Sequence, residues 1–354
     1  MKNVLKAPVR SFLRSLSGAL VGFGAGLLVC ALAGEPPLKI LQVLYKSGFG
    51  SGYDFGMTLF YTAPLILTGL AVAIPFKAGM FNIGAEGQLT VGALAAAWAG
   101  VIGAKIASPW IAIPFAVLMA FAAGGIWGLI PGWLKAKRGS HEVITTIMLN
   151  FIAAGMTSYF TLYAIKDPAS AQAETIALPA AFHLAPFPLF NGAPMGALIF
   201  FLIALVAGLH TLIWNSSWGY ELKALGENET AAETFGISRT RVWLSSMFVA
   251  GGVAGLVGVV EVLGNSHRFK LGFSADFGFV GIAVALVARG NILGILPAAF
   301  LFGFLQKGAA SLDLETEKVT RDLSYLIQGL IILGVSAEGL WESLGRLVRR
   351  RSHG

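Results

Sequence analysis

Between two long apolar stretches lies Met80-Phe-Asn-Ile-Gly-Ala-Glu-Gly-Gln88, which sets Asn82, Glu86 and Gln88 among the glycines Gly84 and Gly87. Amides and a carboxylate at membrane depth are costly, and they persist where protein or a water-filled cavity satisfies them. The chemistry they offer is recognition rather than bond-making. Two readings fit: a broken helix lining a substrate path, or a solvated loop at the cytoplasmic face just after Lys77. A second cluster, His141-Glu142-Val-Ile-Thr-Thr-Ile-Met-Leu-Asn150, puts Glu142 where an acid favours a helix N-terminus. Asn150 then falls about two turns into the span, as helix–helix glue or as a ligand. Glu261, in Val-Val-Glu-Val-Leu, is an intramembrane carboxylate and so a functional candidate. The nearness of Arg268 and Lys270 offers it a salt-bridged structural role instead. Phe81, Phe277 and Phe279 supply rings that could stack on a planar cargo or pack in a core.

Catalytic chemistry finds no footing. The chain has no Gly-x4-Gly-Lys-Ser/Thr phosphate cradle, no Gly-x-Ser-x-Gly and no His-Glu-x-x-His. His141-Glu142 lacks a second His at helical spacing, so no metal site is expected. The lone cysteine, Cys30, cannot form an intramolecular disulfide and reads as a small packed residue.

The longest loop assigned to the cytoplasm, 215–241, has a different character. Glu227, Asn228, Glu229 and Thr230 precede Ala231-Ala232-Glu233 and a stop at Gly236, the pattern of a two-turn helix ended by glycine. This charged knob is too short to span and looks built to dock into another protein. An ordinary solvated loop is the alternative.

The elements that position these residues are set by composition. Of 354 residues 56% are hydrophobic and 12% charged, about half the charge of a soluble domain. The expected fold is all-α and polytopic, with about ten transmembrane helices near 15–33, 55–76, 83–103, 109–134, 142–165, 194–214, 242–264, 275–289, 291–308 and 322–338. It forms a single domain over 1–354, with an outer loop at about 166–193 suited to a short helix or cap. The N-terminal basic run before Leu16–Ala33 reads as a retained first span rather than a signal peptide. With both termini cytoplasmic, inner segments hold 16 of the 25 basic residues, as the positive-inside rule requires. The charge of +7 is therefore topological and needs no nucleic-acid partner. Trp110, Trp133, Trp214, Trp218, Trp243 and Trp341 fall at span ends as interfacial anchors. Gly124, Gly128 and Gly132, and Gly251 and Gly255, have the four-residue spacing of close helix crossings. Gly69–Lys77 and Gly281–Arg289 echo one another, each running into a polar break at Asn82 or Asn291. Such an echo would mark two related halves whose broken helices meet near a transport path.

The loop resembles the coupling loop of ATP-binding-cassette (ABC) importer permeases, whose Glu-Ala-Ala-x-x-x-Gly element stands here as Thr230-Ala231-Ala232-x-x-x-Gly236. Thr230 departs from the pattern, with Glu229 and Glu233 beside it to supply acidity. Phe81–Gln88, Glu142–Asn150 and Gly281–Leu286 resemble the branch serving nucleosides and simple sugars, closest to the longer of two permeases in nucleoside importers. His141 stands where that branch usually has Asn. The resemblance spans roughly 55–335 and implies a non-catalytic, multi-pass permease of the bacterial inner membrane. It implies a second, related permease subunit, a periplasmic or lipoprotein substrate-binding protein, and a cytoplasmic ABC ATPase that carries the ATP and magnesium. It further implies a substrate path including Asn82, Glu86, Gln88, Asn150, Glu261 and Phe277, and ATPase coupling through Glu227, Glu229, Ala231, Ala232, Glu233 and Gly236. Simple sugars and riboflavin-like heterocycles are alternative cargoes. An ion-coupled secondary transporter is the rival class, though it would want more buried carboxylates than Glu86 and Glu261; an intramembrane enzyme fits less well.

Overall fold

The computed structural model describes residues 6–196, 198–274, 276–316 and 322–336. Among them are thirteen α-helices: α1 (Lys6–Leu32), α2 (Pro37–Phe49), α3 (Gly52–Phe76), α4 (Ala85–Ile102), α5 (Pro109–Arg138), α6 (Glu142–Tyr159), α7 (Leu198–Asn215), α8 (Ser217–Glu227), α9 (Glu229–Thr234), α10 (Arg239–Gly255), α11 (Phe277–Val287), α12 (Ile295–Glu315) and α13 (Asp322–Ser336). No strand forms among the described residues, only three isolated bridges, each involving the 166–196 stretch. Two helices run on into π-helical turns, α6 at Phe160–Ala164 and α10 at Val259–Ser266.

Each of the ten expected apolar segments falls on a helix. By length and composition six stretches among the described residues can cross a membrane: Gly52–Phe76, Pro109–Arg138, Glu142–Ala164, Leu198–Asn215, Arg239–Ser266 and Ile295–Glu315. The protein is thus a multi-pass membrane protein. In contrast, α11 has 11 residues and rises only about 16 Å, half a hydrocarbon core. Sequence reading missed α2 and α8, because both are short and amphipathic. Helix α2 starts on Pro37 at its first position, where a missing N–H is harmless. It buries Ile40, Val43 and Leu44 while Leu38, Leu41 and Tyr45 stay exposed. Lys2 and the C-terminal arginines that carried part of the charge argument, with Trp341, lie outside the described residues.

The most buried spans are those of α3 and α10, each 83% buried across its spanning window against 22% for the α6 and α7 spans. Pairs of glycines set the tightest crossing. A Cβ on Gly124 would strike the carbonyl of Gly251, and one on Gly128 that of Met247, so α5 and α10 meet backbone to backbone as the spacing foretold. The echoed segments also pack on each other: a Cβ on Gly69 would meet Val284 at 2.9 Å, and one on Gly281 would run into Thr68. Both segments end in the same turn chemistry. Asn82 Oδ1 accepts the Gly84 N–H at 3.0 Å, Asn291 Oδ1 accepts that of Leu293 at 3.1 Å, and each turn hands over to a helix capped by glycine, Gly84 or Gly294. Trp110 is 90% exposed, as an anchor should be, but Trp243 is buried; its indole belongs to the knob described below. Cys30 is fully buried.

Candidate functional site

After α3 the chain turns at Lys77–Met80, with Gly79 at φ 71°, and re-enters the bundle. Asn82 Nδ2 donates to the Ala71 carbonyl at 3.1 Å. Ala71 lies five residues before the end of α3, so Asn82 sits about 7 Å inside that end. The Asn82 and Gln88 amides bond reciprocally: Nδ2 to Oε1 at 2.9 Å, and Nε2 to Oδ1 at 3.1 Å. Asn150, on α6, closes the network from the far side. Its Oδ1 accepts the Gly87 N–H at 2.8 Å, and its Nδ2 donates to the Ile83 carbonyl at 3.0 Å. Gly87 N–H is one of the first-turn donors that a helix leaves unpaired, so Asn150 caps α4 in trans. Asn82, Gln88 and Asn150 are all buried, and their polar atoms are spent on one another and on backbone.

Glu86 completes a second link. Its Oε2 accepts the Gly278 N–H at 2.7 Å, placing one carboxylate in the first turns of both α4 and α11. Both macrodipoles favour an anion there. Since Gly281 packs on Thr68, α11 begins about halfway along the 25-residue α3. Two interrupted helices therefore meet N-terminus to N-terminus at mid-bundle, the arrangement found where membrane proteins bind cargo. Phe277, beside this link, is packed in the core, whereas Phe279 is 45% exposed.

Glu261 stands apart, in the π-helical turn that follows α10. It is buried, and its Oε2 accepts from Asn265 Nδ2 at 3.3 Å. The salt bridge to Arg268 offered by the sequence does not form. His267, in left-handed conformation at φ 54°, reverses the chain and carries Arg268 to the 166–193 loop, where it pairs with Asp167 at 3.2 Å and Glu174 at 2.7 Å. The Ser170 hydroxyl first, and then Arg268, hold the Glu174 carboxyl below the usual carboxylate range. Loop 166–193 folds through 3-10 turns at Ala180–Phe182 and Pro188–Phe190, with bridges 166↔175, 174↔270 and 186↔196. Within it His183 stacks on His267 at 3.8 Å between ring centres.

At the opposite end the expected two-turn helix is α9. Asn228 caps it, accepting the Ala231 N–H at 2.9 Å, and Gly236 ends it at φ 82°. Glu227, Glu229, Ala231 and Glu233 are exposed, while Ala232 is buried. The acids at 229 and 233 are partnered within the knob: Arg239 reaches Glu229 at 2.7 Å and Glu233 at 2.8 Å. Both exposed pairs contribute little stability; they link α9 to the first residue of α10. Underneath, Ala232, Leu222, Leu225, Val242, Trp243 and Met247 bury one cluster with Ala78 and Met80 of the turn that precedes Asn82. Trp243 Nε1 donates to the Ala78 carbonyl at 3.3 Å. Gly226 fits against the Lys77 carbonyl with no room for a Cβ. Lys135 lies 4.9 Å over the Trp243 ring and pairs with Glu142 at 2.7 Å. An exposed knob, the 77–80 turn, the amide network and the mid-bundle helix ends are thus packed in one continuous series.

Residues 55–336 match the family described as Branched-chain amino acid transport system / permease component. The chain belongs to that family. It is 35% identical, over 95% of its length and 96% of the other's, to the guanosine ABC transporter permease protein NupP of Bacillus subtilis. It is 36% identical to the nucleoside ABC transporter permease protein NupB of Lactococcus lactis, covering 85% of this chain and 84% of that one. The glucose ABC transporter permease protein TsgB13 of Haloferax volcanii is 33% identical, covering 89% and 84%. Within this permease family chain, sequence reasoning missed Arg239 and Trp243 as parts of the knob, because neither lies in the Ala-Ala element. It also missed a cleft between α11 and α13, whose residues are about 50 positions apart and share no pattern.

Proposed function

We propose that the protein is the membrane permease of an ATP-driven importer that carries nucleosides into the bacterial cytoplasm. It pairs with a second, related permease, receives cargo from a periplasmic or lipid-anchored binding protein, and is driven by a cytoplasmic ABC ATPase that holds ATP and magnesium. The knob end then faces the cytoplasm and both termini lie there, in the inner membrane. The observation that carries this reading is the packed series from the exposed knob to the meeting point of α4 and α11. Movement imposed on α9 has a direct mechanical route to helix ends at mid-bundle, which a transporter driven by an external motor needs and an ion-coupled one does not. ATP binding to the partner would shift the population between two arrangements of these helices by its differential affinity for them. In this mechanism Asn82, Gln88 and Asn150 hold the re-entrant segment, and Glu86 ties it to α11. Glu261 and Phe277 shape the outer and central walls of the path, and Glu227, Glu229, Ala231, Ala232, Glu233 and Gly236 present the knob to the ATPase. Two of the three relatives above carry nucleosides in their names, which favours that cargo over a simple sugar.

The deciding experiment is uptake of radiolabelled nucleosides by cells with and without the gene, with excess ribose, glucose, riboflavin or unlabelled nucleoside as competitors. Loss of uptake on deletion, with competition by nucleosides alone, supports the reading. Competition by a sugar or flavin alone overturns the cargo. Uptake abolished by a protonophore at constant ATP overturns the ATP-driven mechanism.

A further inference from the structure

Beside the mid-bundle meeting point, α11 and α13 diverge around a cleft of about 380 Å³, within the range of small-molecule sites. Its walls include Asp276, Phe279, Val280, Tyr325, Gln328 and Ile332. The mixture does not suit a lipid-facing surface, where a carboxylate and an amide would find no partners. Asp276 is the residue before α11, held in left-handed conformation at φ 57°, and is exposed. Gln328 is only 4% exposed, and its Nε2 has no hydrogen-bond partner among the described residues. A buried amide donor left unpaired costs free energy that a ligand acceptor would recover. Phe279 and Tyr325 are 45% and 41% exposed, large ring faces left open along the cleft.

We propose that this cleft recognises the base of an oxopurine nucleoside such as guanosine, with Asp276 accepting its N–H groups, Gln328 donating to its carbonyl, and Phe279 and Tyr325 stacking on the ring. The inference rests on the nucleoside permease reading and adds a selectivity to it. A carboxylate only accepts hydrogen bonds. The guanine edge offers two adjacent donors, N1–H and N2–H2, beside the O6 acceptor, which matches a carboxylate followed by an amide NH2. The adenine edge sets the acceptor N1 next to its amino group, so a carboxylate facing it meets a lone pair. Discrimination therefore comes from repulsion of the wrong base as well as attraction of the right one. Aromatic stacking binds any base and supplies affinity without choice.

The test compares uptake of radiolabelled guanosine and adenosine by deletion cells carrying the wild-type gene, Asp276→Asn, Gln328→Leu or Phe279→Ala. Asn tolerates the left-handed backbone at 276, and co-purification of the ATPase with each variant checks assembly. Asp276→Asn is expected to cut guanosine uptake about tenfold, the scale of one lost charge-assisted hydrogen bond, while adenosine uptake holds or rises. Gln328→Leu lowers guanosine uptake more than adenosine uptake, and Phe279→Ala lowers both alike. An unchanged guanosine-to-adenosine ratio in an assembled Asp276→Asn importer overturns the cleft assignment and leaves the nucleoside reading standing. Absence of any nucleoside uptake by the wild type overturns both.

Discussion

Replacing Asn150 with Leu tests whether the re-entrant segment is held by the amide network. The two side chains share one branched four-atom skeleton and Leu is the bulkier, so the change removes hydrogen bonds without opening a cavity. It leaves the Gly87 N–H and the Ile83 carbonyl, bonded at 2.8 and 3.0 Å in the native protein, without their side-chain partner. In soluble cores each such loss costs about 1–3 kcal/mol. Inter-helix bonds in membranes average nearer 0.6 kcal/mol and reach about 1.7 kcal/mol. Two bonds therefore total about 1–3 kcal/mol. At about 2 °C per kcal/mol for a chain of this length, Tm should fall by about 2–6 °C. The protein carries its own probe, because Cys30 is the sole cysteine and fully buried. A thiol-reactive dye added to the purified protein in detergent will report unfolding as Cys30 becomes accessible. Gly87→Ala should act in the same direction by another route, since its Cβ would lie 2.9 Å from Asn150 Oδ1. If Asn150→Leu melts within about 1 °C of wild type, the network does not hold the segment and the reasoning fails.

Three further outcomes follow from the same geometry. Glu86→Gln keeps an acceptor for the Gly278 N–H but removes the anion shared by two helix N-termini, so it should retain assembly and lose part of the uptake; Glu86→Ala should lose more, with ATPase co-purification intact in both. Ala232→Arg places a charge in the buried cluster that joins knob to turn and should abolish ATPase co-purification; an intact complex would remove α9 from the docking surface. Burial first, and the neighbouring His183, push the His267 pKa down, so the unfolded chain takes up a proton before the folded one does. That contribution to stability is fully present above the unfolded value and is lost as pH falls below about 6.5. Tm should therefore drop between about pH 7 and pH 5.5, and less so in His267→Asn, whose side chain suits the left-handed backbone; equal slopes in the two proteins would exclude His267 as the source.

The sequence alone determined the all-helical, multi-pass character and the positions of ten apolar helices, because hydrophobic length is a local property that a bilayer reads directly. It also determined the glycine crossing of α5 and α10, the capped α9 with its glycine stop, and the identity of the polar residues at depth. These follow from spacing within one segment. Tertiary structure decided what those polar residues do. Asn82 and Gln88 satisfy each other only because the chain re-enters after Lys77, and Asn150 caps α4 only because α6 lies against it. Glu86 reaches Gly278 across 192 positions of sequence because α11 starts at mid-bundle. The partner of Arg268 was also chosen by folding: a left-handed His267 swings it toward Asp167 and Glu174 and away from Glu261, its near neighbour in sequence. Short amphipathic helices such as α2 and α8 escaped notice because their stability comes from the neighbour that covers one face. Which face is covered, and which polar atom finds a partner, depends on residues far away in the chain, and no local pattern encodes that.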